Sequence, residues 1–296
     1  FILMKGSSDI PRDIEKGLSM FRLAVDQNDK AATRDLARYY YSLETEEDNR
    51  KALDYYLQYI EYNPKDTDTL LHIGLIYESG LGVPLNIDLA RRYYERAAEQ
   101  DETGMAYNFL GGTYMNDEET ESNERKAVHY FQKAIELGNT NAMFRISYYL
   151  HNGKGGLQVD IPREIELLTE ASKRGNHQAT YRLGLLFEDN ESGMAQNLEL
   201  SVKYFQLAAD NGILAAINKM GELYLFGEVI PANLTKAISC FTAASEQGYG
   251  KASYWLGRLH TDGIGQLEKD TQKAMNYYRK AIEQGYEEAR EWMEQL

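Results

Sequence analysis

Ala179-Thr-Tyr-Arg-Leu-Gly-Leu-Leu-Phe187 begins four residues after Gly175, and a glycine followed four positions later by alanine recurs at Gly138/Ala142, Gly212/Ala216, Gly248/Ala252 and Gly285/Ala289. Successive glycines stand 37, 37, 36 and 37 residues apart. Four residues past the first four of these alanines comes an apolar residue and then a small one: Ile146-Ser147, Leu183-Gly184, Met220-Gly221 and Leu256-Gly257. The same phase continues upstream at Leu36-Ala37, Ile73-Gly74 and Leu110-Gly111, so seven units share one register.

Each unit carries a second phrase, a small residue followed three and four positions later by a bulky pair. Examples are Ala52/Tyr55-Tyr56, Ala90/Tyr93-Tyr94, Ala127/Tyr130-Phe131, Ala237/Cys240-Phe241 and Ala274/Tyr277-Tyr278. In the units of Ile165 and Val202 the pair starts one residue early, at Leu167 and Tyr204. Spacings of three, four and seven share one face of an α-helix, so each unit reads as two antiparallel helices, A and B. Glycine after helix B supplies a left-handed stop. Gly74, Gly111, Gly184, Gly221 and Gly257 fall inside helix A, where each costs about 1 kcal/mol of propensity. A cost repeated in register implies close packing of A on B.

A lone helix pair cannot bury its apolar face, so the units are expected to stack into a right-handed superhelical α-solenoid. The expected class is all-α: about seven helix-pair repeats over residues 31–285, with an N-terminal half-unit helix in 1–30 and a C-terminal one in 286–296, the whole of 1–296 forming one domain. Ile10-Pro-Arg-Asp-Ile-Glu15 mirrors Ile161-Pro-Arg-Glu-Ile-Glu166 and places residues 12–27 as a lone B-type helix.

Composition agrees with a folded chain. The 296 residues are 43% hydrophobic and 26% charged, too apolar for disorder. With 46 acidic and 32 basic side chains the formal charge is −14, which disfavours nonspecific attraction to nucleic acid or anionic membrane. No apolar run approaches the roughly 20 residues that cross a bilayer. The start, Phe1-Ile2-Leu3-Met4, is too brief for a signal peptide and carries no structural weight. One Cys forms no internal disulfide.

The phrases Ala179 to Phe187 and Lys273-Ala-Met-Asn-Tyr-Tyr-Arg-Lys-Ala-Ile-Glu-Gln-Gly285, with loops such as Gly80-Leu-Gly-Val-Pro84, resemble the Sel1-like repeat, a longer-looped relative of the tetratricopeptide repeat. The resemblance covers roughly residues 31–296. It implies a non-enzymatic adaptor or scaffold for a partner protein, as in degradation scaffolds of the endoplasmic reticulum and in exported bacterial proteins that bind host, envelope or toxin proteins. The residues themselves leave the compartment open, and the resemblance alone favours an exported or periplasmic location. Two loops, Glu44-Thr-Glu-Glu-Asp48 and Asp117-Glu-Glu-Thr-Glu121, depart from it by being acidic where glycine is expected, and the paired Cys of the cysteine-rich bacterial branch is missing.

No catalytic constellation assembles. His72, His129, His151, His177 and His260 lack zinc-site spacing, and neither metal nor cofactor is expected. Cys240 reads as a core hydrophobe beside Phe241. The glycine clusters at 80/82, 153/155/156 and 263/265 follow helical stretches and read as loops. The sequons Asn190-Glu-Ser192 and Asn233-Leu-Thr235 fall in A-to-B loops, where chance occurrence is the plainer explanation.

Partner recognition is expected from two columns on helix A. Counting three residues into each helix gives Asp35, His72, Phe109, Arg145, Arg182, Lys219, Trp255 and Trp292; three further on stand Arg38, Leu75, Gly112, Tyr148, Leu185, Glu222 and Arg258. The partner-binding set is His72, Phe109, Arg145, Tyr148, Arg182, Lys219, Trp255 and Arg258, rich in the residue types that dominate hot spots, on a concave groove of a monomer. The bland alternative is that these residues pair with the adjacent unit. Within the binding class, an immunity protein that neutralises a secreted toxin is the sharper alternative, since an acidic surface suits a basic target; a eukaryotic degradation adaptor ranks lower. The rivals from other classes are a hydrolase using groove carboxylates and a stacking module that self-associates through its ends.

Overall fold

The computed structural model describes residues 13–189, 196–264 and 267–296. Among the described residues there are sixteen helices and no strand. They belong to two compact units, one ending at Val159 and the other running from Asp160 to Leu296. In the first, α1 (Ile14–Asp26) precedes the pairs α2 (Lys30–Tyr41) with α3 (Glu46–Tyr62), α4 (Thr67–Ser79) with α5 (Ile87–Ala98), and α6 (Met105–Met115) with α7 (Glu121–Glu136), and α8 (Thr140–Asn152) follows. The second opens on α9 (Ile161–Lys173). It continues through α10 (His177–Glu188) with α11 (Leu198–Asp210), α12 (Leu214–Phe226) with α13 (Leu234–Glu246), and α14 (Gly250–Asp262) with α15 (Thr271–Glu283), then the short α16 (Ala289–Glu294). Even-numbered helices are of type A and odd-numbered ones of type B; α1 is the B-type helix expected over residues 12–27.

Local chemistry sets the helix starts. Asp29, Thr45, Asp66, Asn86, Asn139, Asn176, Asn197 and Asn233 each accept the backbone N–H three residues on, occupying a donor the first turn leaves free. Where α6 starts on Gly104 instead, buried Asp101 reaches forward to Ala106 N at 2.7 Å.

The glycines inside helix A are there for space. A Cβ on Gly111 would stand 2.5 Å from Phe131, on Gly184 or Gly221 2.6 Å from Phe205 or Phe241, on Gly257 2.7 Å from Tyr278, and on Gly74 closer still to the ring of Tyr94. Each ring is the second member of the bulky pair and is fully buried. The turn glycines answer a different demand. Gly175, Gly212, Gly248 and Gly285 have φ of 88°, 81°, 93° and 86°, and a Cβ on any of them would meet nothing within 4 Å, so backbone conformation alone selects glycine.

Counting back from these turns corrects the apparent phase slip in two units. Phe131, Leu168, Phe205, Phe241 and Tyr278 all stand seven residues before the turn glycine, and all are buried. The register of the pair is constant; what changes is the small-residue slot four positions earlier, which holds Glu164 and Ser201 in place of alanine. Ser201 is accommodated by donating to Gly184 O at 2.8 Å.

The first members of the pairs form a second ladder with the ends of the A helices. Tyr40 stacks on Tyr55, Tyr77 on Tyr93, Tyr114 on Tyr130, Phe187 on Tyr204 and His260 on Tyr277, with centroids 5.6–6.0 Å apart. The acidic loops also find their geometry. Glu44 takes the left-handed position at φ 58°, while Asp117 is held by Arg91 at 2.7 Å and Glu119 by Lys154 at 2.7 Å.

Both the packing and the buried phenols lead to measurable outcomes. Gly221→Ala should lower the stability of the second unit by about 1–3 kcal/mol through overpacking, and adding Phe241→Leu should return part of it; an unchanged thermal midpoint for Gly221→Ala would refute the steric account. Burial also pushes the phenols of Tyr149 and Tyr181 up to about 12, against about 10 in an unfolded chain. Because the unfolded chain ionises first, the stability is complete below pH ~10 and lost as pH rises through about 12. Helix loss by circular dichroism should therefore accompany tyrosinate absorbance in that window.

Candidate functional site

Each A helix turns its buried face to its B partner and leaves a stripe at spacings of four, three and four. On α14 the stripe is Lys251, Trp255, Arg258 and Asp262; on α12 it is Ala215, Lys219, Glu222 and Phe226. On α6 and α8 the same positions hold Met105, Phe109, Gly112 and Asn116, then Asn141, Arg145, Tyr148 and Asn152. The expected partner-binding residues all lie on these stripes. His72, Phe109, Arg145 and Tyr148 are in the first unit, and Arg182, Lys219, Trp255 and Arg258 in the second.

Most of the first column also rests on the core ring of the preceding B helix. His72 stacks on Tyr56 at 5.3 Å, Phe109 on Tyr94 at 5.3 Å and Trp255 on Phe241 at 6.0 Å. Arg145 lies over Phe131 at 6.0 Å and Lys219 over Phe205 at 5.8 Å. The rings of Tyr94, Phe131, Phe205 and Phe241 are thus covered on one side by their own repeat's glycine and on the other by the next repeat's column residue. The column serves packing before anything else.

Its charges divide unequally. Arg182 donates from Nε at 3.1 Å to Glu164, whose side chain is 0% exposed. Lys219 reaches Glu188 at 2.9 Å, and Glu222 accepts from Trp255 Nε1 at 2.9 Å, from Lys251 at 2.8 Å and from Asn218 at 2.9 Å. Arg258 bonds the Tyr254 hydroxyl at 3.0 Å, faces Asp262 at 3.4 Å and lies 3.8 Å over the ring of Trp292. Tyr148, 40% exposed, accepts from Lys154 at 3.0 Å. In the first unit Arg38 pairs with Asp68, whereas Arg145 has no carboxylate partner among the described residues. Sequence reasoning missed Glu164 as a site residue; the constant count back from Gly175 would have exposed a carboxylate in a buried slot.

Two open depressions lie beside the B helices. One of about 630 Å³ in the second unit is lined by Leu207, Met220, Tyr224, Ile230, Pro231 and Lys236; one of about 510 Å³ in the first is lined by Tyr114, Arg125, Lys126, His129 and Tyr130. Burial pushes the Cys240 thiol up, away from thiolate character. The displaced carboxyls among the described residues all move down: Asp117 through its hydrogen bond from Arg91, Glu119 through Lys154, and Asp270 through the backbone N–H of Lys273. Asn233 is exposed and caps α13, while Asn190 and Gly265 lie outside the described residues.

The Arg182 contact yields a further prediction. Arg182→Ala should destabilise the second unit by about 2–4 kcal/mol because it strips a guanidinium from a buried carboxylate, and Glu164→Gln in the same chain should recover much of the loss. Additive effects of the two substitutions in a double-mutant cycle would show that the pair is not coupled.

Comparison with known proteins agrees with this geometry. Rat protein sel-1 homolog 2 is 41% identical over 71 residues, 24% of this chain, so the chain matches only 10% of that relative's length. The crystal structure of a Sel1 repeat protein from Oxalobacter formigenes superposes with a TM-score of 0.73 at 22% identity, covering 83% of this chain and 98% of that one. An immunity protein, PA5088 of Pseudomonas aeruginosa, has the related fold at a TM-score of 0.51 and 18% identity, covering 75% of this chain and 82% of its own. The Sel1 repeat family pattern matches residues 1–29, 30–58, 68–102, 104–139, 140–176, 177–213, 214–249 and 250–286. With helix pairs in that register and eight segments matched in succession, the chain belongs to the Sel1 repeat family.

Proposed function

We propose that this chain is a non-enzymatic scaffold that binds a partner protein through the A-helix stripes, with His72, Phe109, Arg145, Tyr148, Arg182, Lys219, Trp255 and Arg258 in or beside the contact. Sel1 repeat proteins are generally protein-interaction scaffolds. The observation that carries the proposal for this chain is the cluster on α12, α14 and α16. Phe226 is 55% exposed with its ring against the edge of Trp255 at 5.6 Å, and Arg258 is stacked on Trp292. Large rings and a guanidinium fixed before binding lose little entropy on contact, which is the composition and state of a hot spot.

The immunity reading is a special case, supported by the net charge of −14 and by the fold of PA5088. A basic secreted hydrolase recovered as partner would select it.

A photo-crosslinking residue placed at Tyr148 or Phe226 should capture the partner in the native host, while one at Leu207 on the B-helix side should not. Phe226→Ala should weaken capture about tenfold with the thermal midpoint within a few degrees of the parent's. Capture from Leu207 alone would move the binding face to the B helices.

A further inference from the structure

Arg145 is the odd member of its column. In the second unit, the stripe residue 33 positions before Trp255 is Glu222, and that carboxylate satisfies Trp255 and Lys251 together. The residue 33 positions before Arg145 is Gly112. A Cβ there would overlap the Nη1 of Arg145, so the guanidinium lies directly against the bare helix backbone at the position that Glu222 fills in the second unit.

Gly112 is not explained by the packing that explains Gly111. The latter faces the core ring of Phe131; the former faces only the end of a flexible side chain. Two adjacent glycines inside α6 each weaken the helix by about 1 kcal/mol, and only one of them makes room for the core. Around the pair the stripe is apolar or neutral: Phe109 and Met105 one and two turns before Gly112, Tyr148 one turn after Arg145, Asn116 beyond Gly112. Met105 and Tyr148 are both exposed.

We propose that Gly112 and Arg145 form a carboxylate socket: an acidic side chain, Asp or Glu, on the partner protein enters between α6 and α8 and supplies to Arg145 the charge that Glu222 supplies within the second unit. The planar guanidinium, held over Phe131, offers its remaining N–H groups to both carboxylate oxygens, and Phe109, Met105 and Tyr148 cover the neighbouring apolar residues of the bound segment. The proposal rests on the scaffold reading and adds to it the chemistry that the first unit selects.

The test is selection from a phage-displayed library of short random peptides on the intact chain. The parent protein should enrich peptides with Asp or Glu at one fixed position. Arg145→Glu should replace that preference by Lys or Arg, and Gly112→Glu, which fills the socket from within while leaving Arg145 in place, should abolish it. Synthetic peptides of the selected sequence should bind Arg145→Ala at least about tenfold more weakly, with no difference between free and amidated C-termini. Gly112→Ala should keep or raise the thermal midpoint while weakening the same peptides, whereas Gly111→Ala should lower it. The same acidic consensus on Arg145→Glu, or binding that needs a free C-terminal carboxylate, would overturn the socket and leave the scaffold reading standing. Enriched peptides that crosslink only to the B-helix side would overturn both.

Discussion

The contact on which both units depend is a buried ring lying on a helix that has no side chain beneath it. Phe131 on Gly111, Phe205 on Gly184, Phe241 on Gly221 and Tyr278 on Gly257 repeat one geometry. It draws helices A and B closer than any alanine at those positions would allow, and it places the opposite face of the ring where the next repeat must cover it. That cover comes from Arg145 on Phe131, Lys219 on Phe205 and Trp255 on Phe241, as it does from Phe109 on Tyr94. Stacking of repeats is therefore a consequence of packing within them. The residue that completes one repeat's core is the residue that its neighbour shows to solvent.

The helix pairs were legible because this contact leaves two marks at a fixed distance, a small residue in A and a bulky residue in B, and because the turn glycines recur at nearly equal intervals. The column residues were legible for the same reason. What pattern reading could not separate was their two duties. Trp255 and Arg182 occupy equivalent positions, yet one rests on Phe241 and the other is bonded to Glu164. The difference originates on the preceding B helix, in whether the small slot holds Ala237 or Glu164, and a column read along A helices alone does not contain it. The apparent phase slip near Leu167 arose similarly: the count began from the variable slot instead of the constant turn. The acidic loops were doubtful from sequence because glycine was missing. They close through Glu44 in a left-handed conformation and through charges supplied by neighbouring repeats, Arg91 to Asp117 and Lys154 to Glu119.

The polar layer over the core is not uniform along the chain. In the second unit Glu222 gathers Lys251, Trp255 and Asn218 about one carboxylate, and the stripe there is largely self-satisfied, with its rings fixed. In the first unit the position ahead of Arg145 that corresponds to Glu222 is Gly112. The two units thus share a core and differ in what their exposed stripes still lack, a difference that bears on which side chains a partner can offer to each.

One result of Glu222 serving side chains on its own helix and on the next concerns how such a chain can change by duplication and loss. The ring contact is generic, so a 37-residue segment can be inserted or excised and the new neighbours will still pack. The carboxylate is particular: after an excision, Trp255 would meet whatever acid or gap the new preceding helix carries. Repeats of this chain are interchangeable as masonry but not as lettering, and a single duplication would rewrite the surface at the seam while leaving the wall intact.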